Sequence, residues 1–373
     1  MLFNRSVEMA LVLLLLFSGL SYFTLASNRL RYFNDTGVQY GLWNESCNGA
    51  SHVTVYDEED FEFVKSFLAF RVSSHSGTWL GLHKTKKNIS WSNDTPFNST
   101  MFTENGTQSQ ICVAINGTTW NHFNCAERKP FMCHIGSNYK LITRNKNWCQ
   151  ALQYCRTHNG DLVSIGNDTE NKRAIEKGEG KTFWIGLLND DWEWEDGSCS
   201  TFREWNTSVV SPGSTFAYTM FSKILNVLNK VEDGGEADSF CTKGTTRIKV
   251  IPYNLTWEEA FNYCKENHTG LLQIIDENDQ KAVEQWLNCT SVSGPFWIGL
   301  RQSRVFGFWI WSDRMVNFSK WKNGIQPELP LSNLCGAINS NYMWTDENCL
   351  VGQPFLCEEE IVFMNKLKTA RKQ

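Results

Sequence analysis

Cys335, Cys349 and Cys357 stand with 13 and 7 residues between them, around the triplet Trp344-Thr345-Asp346. Thiols in so short a segment can cross-link, and an Asp carboxylate can ligate a hard cation through oxygen. Catalytic groupings are absent. The seven histidines, His52, His75, His83, His122, His134, His158 and His268, are scattered without a His-Glu-x-x-His run. There is no Gly-x-Ser-x-Gly elbow and no phosphate-cradling glycine loop, so the residue types point to binding, not to an enzyme.

The compartment follows from the start of the chain and from its cysteines. Arg5, the apolar run Ala10 to Leu20 and the small residues near Thr24 and Ala26 have the order of a secretory signal, residues 1–26. An uncleaved anchor is the competing reading, but the run falls short of the ~20 residues that span a bilayer. We expect a secreted, extracellular product with no membrane span. Thirteen cysteines then read as disulfides, and an odd count leaves at least one thiol for an intermolecular bridge. Sequons at Asn34, Asn44, Asn88, Asn98, Asn105, Asn116, Asn206, Asn254, Asn267 and Asn317 suit a glycoprotein ectodomain. The net charge of -5 has no basic stripe, which argues against nucleic acid as partner.

The elements that must position these residues recur. Trp79-Leu80-Gly81-Leu82, Trp184-Ile185-Gly186-Leu187 and Trp297-Ile298-Gly299-Leu300 mark three copies of one plan. Thr256 with Glu259, and Asn147 with Gln150, form capping boxes. Behind them Trp257, Phe261 and Cys264, and Trp148, Leu152 and Cys155, lie on one helix face. A second helix carries Val64, Phe67 and Leu68 in copy one and Val283, Trp286 and Leu287 in copy three. Short strands and long loops complete an α+β unit.

Together with Trp311-Ser312-Asp313, the Trp-x-Asp-x-x-Cys segment and the Pro-Phe-x-Cys endings at Cys133 and Cys357, these features resemble the tandem C-type lectin-like domains of the macrophage mannose receptor group. The resemblance implies domains at 28–136, 137–242 and 243–360, with 361–373 either a solvated basic tail or the first strand of a further repeat. It implies that Cys47 pairs with Cys133, Cys112 with Cys125, Cys264 with Cys357 and Cys335 with Cys349. Cys155 would close on Cys241, and Cys149 on Cys199, leaving Cys289. Copy one, with Trp120-Asn121-His122 in place of Trp-Asn-Asp, is expected to hold no calcium. In copy two, Phe221, Ile224, Leu225 and Leu228 have helical spacing. That stretch, within residues 211–240, admits an altered exon, an inserted helix or a membrane-surface helix.

By the same resemblance, copy three keeps a reduced calcium and sugar site. Gln326-Pro327-Glu328 takes the family's ligand tripeptide, Asn333 stands two residues before Cys335, and Asp346 follows Thr345 where the family has Asn. Gln326, Glu328, Asn333 and Asp346 are the candidate ligands, two of them acidic, which implies weak calcium binding. For Gln326 and Asn333 a role in capping loop backbone is the competing reading. Trp344 reads as a strand anchor in the core. The expected function is an extracellular lectin-like binding protein, with weak calcium-dependent carbohydrate binding through copy three. Its partners would be glycans or cell-surface glycoproteins. The alternative is a calcium-independent, protein-binding receptor fragment or decoy.

Overall fold

The structure, a computed structural model, describes residues 29–364 apart from 35–39, 46, 48, 71–74, 86–88, 98–109, 206–216, 233–234, 304–307 and 328–332. The signal segment, Glu328 and the sequons at Asn88, Asn98, Asn105 and Asn206 lie outside the described residues. The chain forms two compact units. One comprises residues 33–242, 288–291 and 360–364, the other residues 29–32, 243–287 and 292–359.

The second unit holds the third repeat in a plain order. Five helices occur among the described residues: α1 Glu58–Ala69, α2 Trp148–Thr157, α3 Asp168–Lys177, α4 Trp257–Asn267 and α5 Glu277–Cys289. The Thr256–Glu259 capping box opens α4 as its spacing predicts. The sheet runs Thr246–Leu255, Gln353–Glu360, Phe296–Gln302, Leu334–Ile338, Trp344–Asn348, so the first and last strands of the repeat are neighbours. Trp257 donates its indole N–H to Ile298 O at 2.8 Å, and Trp297 donates to Leu255 O at 3.0 Å. This reciprocal pair buries both rings with their polar atoms satisfied. It recurs as Trp148 to Ile185 O with Trp184 to Lys146 O, and as Trp43 to Leu80 O with Trp79 to Gly41 O. The glycine of each Trp-x-Gly-Leu strand admits a close neighbour. A Cβ at Gly299 would sit 2.9 Å from Leu271 O, and one at Gly81 would sit 2.8 Å from His52 O.

The first unit contains two modules, but they do not follow the repeats. The Trp-Leu-Gly-Leu strand Gly77–Lys84 of copy one pairs with Ala217–Ser222 and Ala237–Ser239, which come from copy two. The Trp-Ile-Gly-Leu strand Phe183–Asp190 of copy two pairs with Gln110–Asn116 and Lys129–Ile135, which come from copy one. The halves are exchanged. An inner module, residues 90–190, lies within the sequence of an outer one built from residues 33–84 and 192–242. The cause is local. Lys129–Ile135 and Asn138–Lys146 form a hairpin across Gly136 and Ser137, with Gly136 at φ 60°, so the last strand of copy one takes the first strand of copy two as its neighbour. Copy three requires the same adjacency of first and last strands, and a two-residue turn closes it with little loop entropy.

This geometry corrects two expected disulfides. Cys133 bonds Cys155, 22 residues away, and Cys47 bonds Cys241, 194 residues away. The pairs Cys47–Cys133 and Cys155–Cys241 do not form, because the hairpin carries α2 and its Cys155 onto the strand that bears Cys133. Cys112–Cys125, Cys264–Cys357, Cys335–Cys349 and Cys149–Cys199 are bonded, and Cys289 is free. On the chain-entropy account the 194-residue closure restrains the unfolded state by about 5 kcal/mol and the 22-residue one by about 3 kcal/mol.

The helix expected through Phe221 and Leu228 is also corrected. Ala217–Ser222 and Val227–Glu232 form a hairpin in which Phe221 and Leu228 are cross-strand partners, both buried. Ile224 and Leu225 sit exposed at its tip. Spacing of three and four residues fits a helix face, but it also fits a hairpin whose ends face one core. Alternating burial along Ala217, Thr219 and Phe221 marks the strand. Nor is the C-terminal stretch solvated throughout. Ile361, Val362 and Phe363 are buried, Cys199 N donates to Val362 O at 2.8 Å, and Phe363 bridges Ser198.

Candidate functional site

The sugar-site candidates sit at one edge of the third repeat's sheet. Leu334–Ile338 and Trp344–Asn348 form a ribbon in which Gly336 faces Asp346 and Ala337 faces Thr345. Cys335–Cys349 staples its open end, and Cys349 N donates to Asn333 O at 3.0 Å. Asp346 is therefore held half-buried on a rigid strand, with Asn333 exposed at the ribbon's mouth. Gln326 is exposed, two residues beyond the turn Lys322–Gly324. Of the four candidates, the structure brings Asn333 and Asp346 onto one stapled ribbon. Gln326 lies on the preceding loop.

Trp344 is core. Its ring is fully buried among Trp311, Trp321 and Phe318, with centroids 5.4 to 5.9 Å away. Its indole donates to Gln280 Oε1 at 3.0 Å. Gln280 Nε2 bonds Tyr342 O at 2.8 Å and Glu284 Oε1 at 3.0 Å, and Lys320 pairs with Glu284 at 2.9 Å. The edge strand is thus fixed to α5 from beneath, as a recognition loop requires.

Calcium takes six to eight oxygens. Among the described candidates only Asp346 brings a carboxylate, and the Thr345 hydroxyl is buried without a hydrogen-bond partner. No group of three or more His, Cys, Asp or Glu among the described residues is arranged to hold a metal ion. Gln326, Asn333 and Asp346 are thus a partial calcium shell, with Glu328, the other acidic candidate, outside the described residues.

A different charged cluster escaped the sequence reading. Arg29 meets Asp279 at 2.9 Å and Glu358 at 2.7 Å, and it donates to Gln273 O. Leu30 N donates to Asp279 Oδ1 at 3.2 Å, and Arg31 N to Thr246 O at 2.8 Å. The segment from Arg29 is in this way tied to the first turn of α5 and the first strand of the third repeat. Burial pushes the Glu358 carboxyl up, against the pull of Arg29. The separation of Arg29 from Asp279 by 250 residues left no periodic or motif signal.

Two stapled helices, the reciprocal tryptophans and a disulfide-pinned edge ribbon define a lectin-type binding module. The chain belongs to the C-type lectin domain family, whose sequence profile matches residues 44–135, 144–246 and 253–359. It contains tandem C-type lectin-like domains, a class of non-enzymatic binding proteins. It is 23% identical over 381 residues to the secretory phospholipase A2 receptor of Homo sapiens, covering 80% of this chain and 26% of that protein. It is 22% identical over 386 residues to lymphocyte antigen 75 of Homo sapiens, covering 82% and 22%. C-type mannose receptor 2 of Homo sapiens is 30% identical over 109 residues, 28% of this chain and 7% of that protein. The chain spans about a quarter of the length of the receptors it matches along most of its sequence. Among solved structures, human lithostathine aligns with a TM-score of 0.28 at 20% identity, covering 31% of this chain and 92% of that one. The mouse scavenger receptor C-type lectin carbohydrate-recognition domain aligns with a TM-score of 0.27 at 25% identity, covering 31% and 91%.

Proposed function

We propose that the chain is an extracellular, glycosylated, lectin-like binding protein whose third repeat takes glycans of cell-surface glycoproteins weakly and with calcium. The supporting observation is the stapled ribbon, which holds Asp346 on one strand opposite Gly336 and carries Asn333 at its mouth, bonded to Cys349. The sequons at Asn34, Asn44, Asn116, Asn254, Asn267 and Asn317 are all exposed, as an ectodomain carrying glycans requires. Among the described residues no helix is long and apolar enough to cross a membrane. Several relatives bear the name receptor, and one is a mannose receptor.

A second reading, calcium-independent protein binding, is favoured by the single carboxylate among the described donors and by the buried hydroxyl of Thr345. One experiment separates the two. The whole mature chain is applied to a glycan array in millimolar calcium and in chelator, beside Asp346→Asn. Sugar signals that need calcium and fall at least tenfold in the variant support the first reading. An array blank in both buffers removes it and leaves the second.

A further inference from the structure

Three asparagines are followed directly by a cysteine: Asn124-Cys125-Ala126, Asn288-Cys289-Thr290 and Asn348-Cys349-Leu350. Only the second has a hydroxyl residue in third place, so only it is an acceptor triplet for an N-linked glycan. Its cysteine is also the exception. Cys125 is bonded to Cys112 and Cys349 to Cys335, whereas Cys289 is the one thiol left when six disulfides have taken the other twelve cysteines.

The place of the triplet in the fold suits the modification. α5 buries Ala282, Val283, Trp286 and Leu287, and Asn288 follows them, exposed, in its last turn. The helix ends at Cys289, and residues 290–295 run on to the strand Phe296–Gln302 without helix or strand of their own. A glycan on Asn288 therefore displaces no core side chain. The bond that forms joins Asn288 Nδ2 to the anomeric carbon of an oligosaccharide carried on a lipid pyrophosphate. The carbon–oxygen bond to the pyrophosphate breaks, the pyrophosphate keeps the electron pair, and Nδ2 gives up one proton.

The same glycan bears on the spare thiol. Cys289 is half-buried, not sealed. Burial pushes the thiol up to about 11, which slows it without closing it off. A disulfide to a second chain needs Cα atoms within about 7 Å, and consecutive Cα atoms are about 3.8 Å apart. The second backbone would have to come within about 11 Å of the Asn288 Cα, the space that a branched glycan rooted there fills.

We propose that Asn288 carries an N-linked glycan and that this glycan bars a second polypeptide from Cys289. The odd cysteine count then yields no bridge between chains. The site rests on the reading of the chain as an extracellular glycoprotein, yet it can fail alone.

The test uses the whole mature chain secreted by cultured animal cells. Peptide N-glycosidase in heavy-oxygen water turns each glycosylated asparagine into a labelled aspartate, and mass spectrometry should find the label at position 288 in most molecules. Thr290→Ala, which keeps both Asn288 and Cys289, should lose that label. In the folded protein a maleimide on a large polymer should react with Cys289 at least tenfold faster in Thr290→Ala than in the parent. Iodoacetamide, small enough to pass a glycan, should change less than twofold. Label at Asn116 and Asn254 with none at Asn288 overturns the site and leaves the glycoprotein reading standing, and label at no sequon overturns both. Equal polymer labelling of parent and variant, or an equal rise with both reagents, overturns the barrier. Should the variant fail to fold, the folded parent trimmed by an endoglycosidase to a single sugar must show the same split between the two reagents, and its absence overturns the barrier equally.

Discussion

Cys133, at the end of one repeat, and Cys155, in the first helix of the next, are bonded to each other with Cα atoms 5.4 Å apart. The bond is the covalent mark of the exchange between the first two repeats. Peptide mapping of the unreduced protein is expected to recover Cys133 with Cys155 and Cys47 with Cys241. Recovery of Cys47 with Cys133 would place the halves back within their own repeats.

The Trp-x-Gly-Leu strands predict a cost that repeats. Gly299→Ala drives a methyl against the carbonyls of Leu271 and Leu272, at 2.9 and 3.1 Å, in a buried strand. Backbone cannot yield as a flexible side chain does, so a loss of about 2–3 kcal/mol is expected. Gly81→Ala, against His52 O, should cost about as much. Urea unfolding followed by tryptophan emission measures both.

Arg29→Ala strips the cation from two buried carboxylates, Asp279 and Glu358. Breaking a buried pair from one side costs about 3–5 kcal/mol. The expected result is early unfolding of the unit that holds the third repeat. Arg29→Lys should recover only part of the loss, since an ammonium cannot reproduce the fork on Asp279, Glu358 and Gln273 O.

Acid should act through Glu359. Burial alone would raise its carboxyl, but Arg247 at 2.8 Å, with His268 and Lys249 nearby, overrides that and holds it down at about 2. A depressed carboxyl stabilises the fold above its ordinary value of 4.5 and loses that contribution as the pH falls toward 2. The loss amounts to about 3 kcal/mol across this window. Arg247→Met should flatten the corresponding fall in melting temperature between pH 5 and pH 2, a range chosen to bracket it.

Cys289 should be a sluggish thiol. Burial pushes it up to about 11, so at pH 8 its thiolate is roughly a hundredfold scarcer than that of a thiol at 9.0. Alkylation by iodoacetamide should slow in proportion. Denaturant should restore the ordinary rate, a contrast that mass spectrometry follows directly.

The modules were legible because their chemistry is local. The capping boxes at Asn147 and Thr256 and the three Trp-x-Gly-Leu strands each lie within a few residues, and the structure has them all. Strand partnership was not legible. Trp79-Leu80-Gly81-Leu82 and Trp184-Ile185-Gly186-Leu187 present nearly the same surface, so either can receive Gln110–Asn116, and the turn at Gly136 decides. Phe221 and Leu228 misled because one spacing serves two geometries. Arg29 was invisible because ion pairs between distant residues leave no period. At the edge ribbon, Asp346 lies on the strand Trp344–Asn348 and Asn333 just before the strand Leu334–Ile338 that pairs with it, whereas Gln326 lies on the preceding loop.

Thr85 N donates to Asp191 O at 2.7 Å, and Trp192 pairs with Lys84, so the chain leaves the outer module and re-enters it at a single doorway. Residues 86–190 therefore form a cassette. Removing it and splicing its two flanks would leave the host module's sheet unbroken. A genetic cut at the apparent boundary near Gly136 would instead sever both modules at one stroke, so the natural seams of this protein do not coincide with the seams of its repeats.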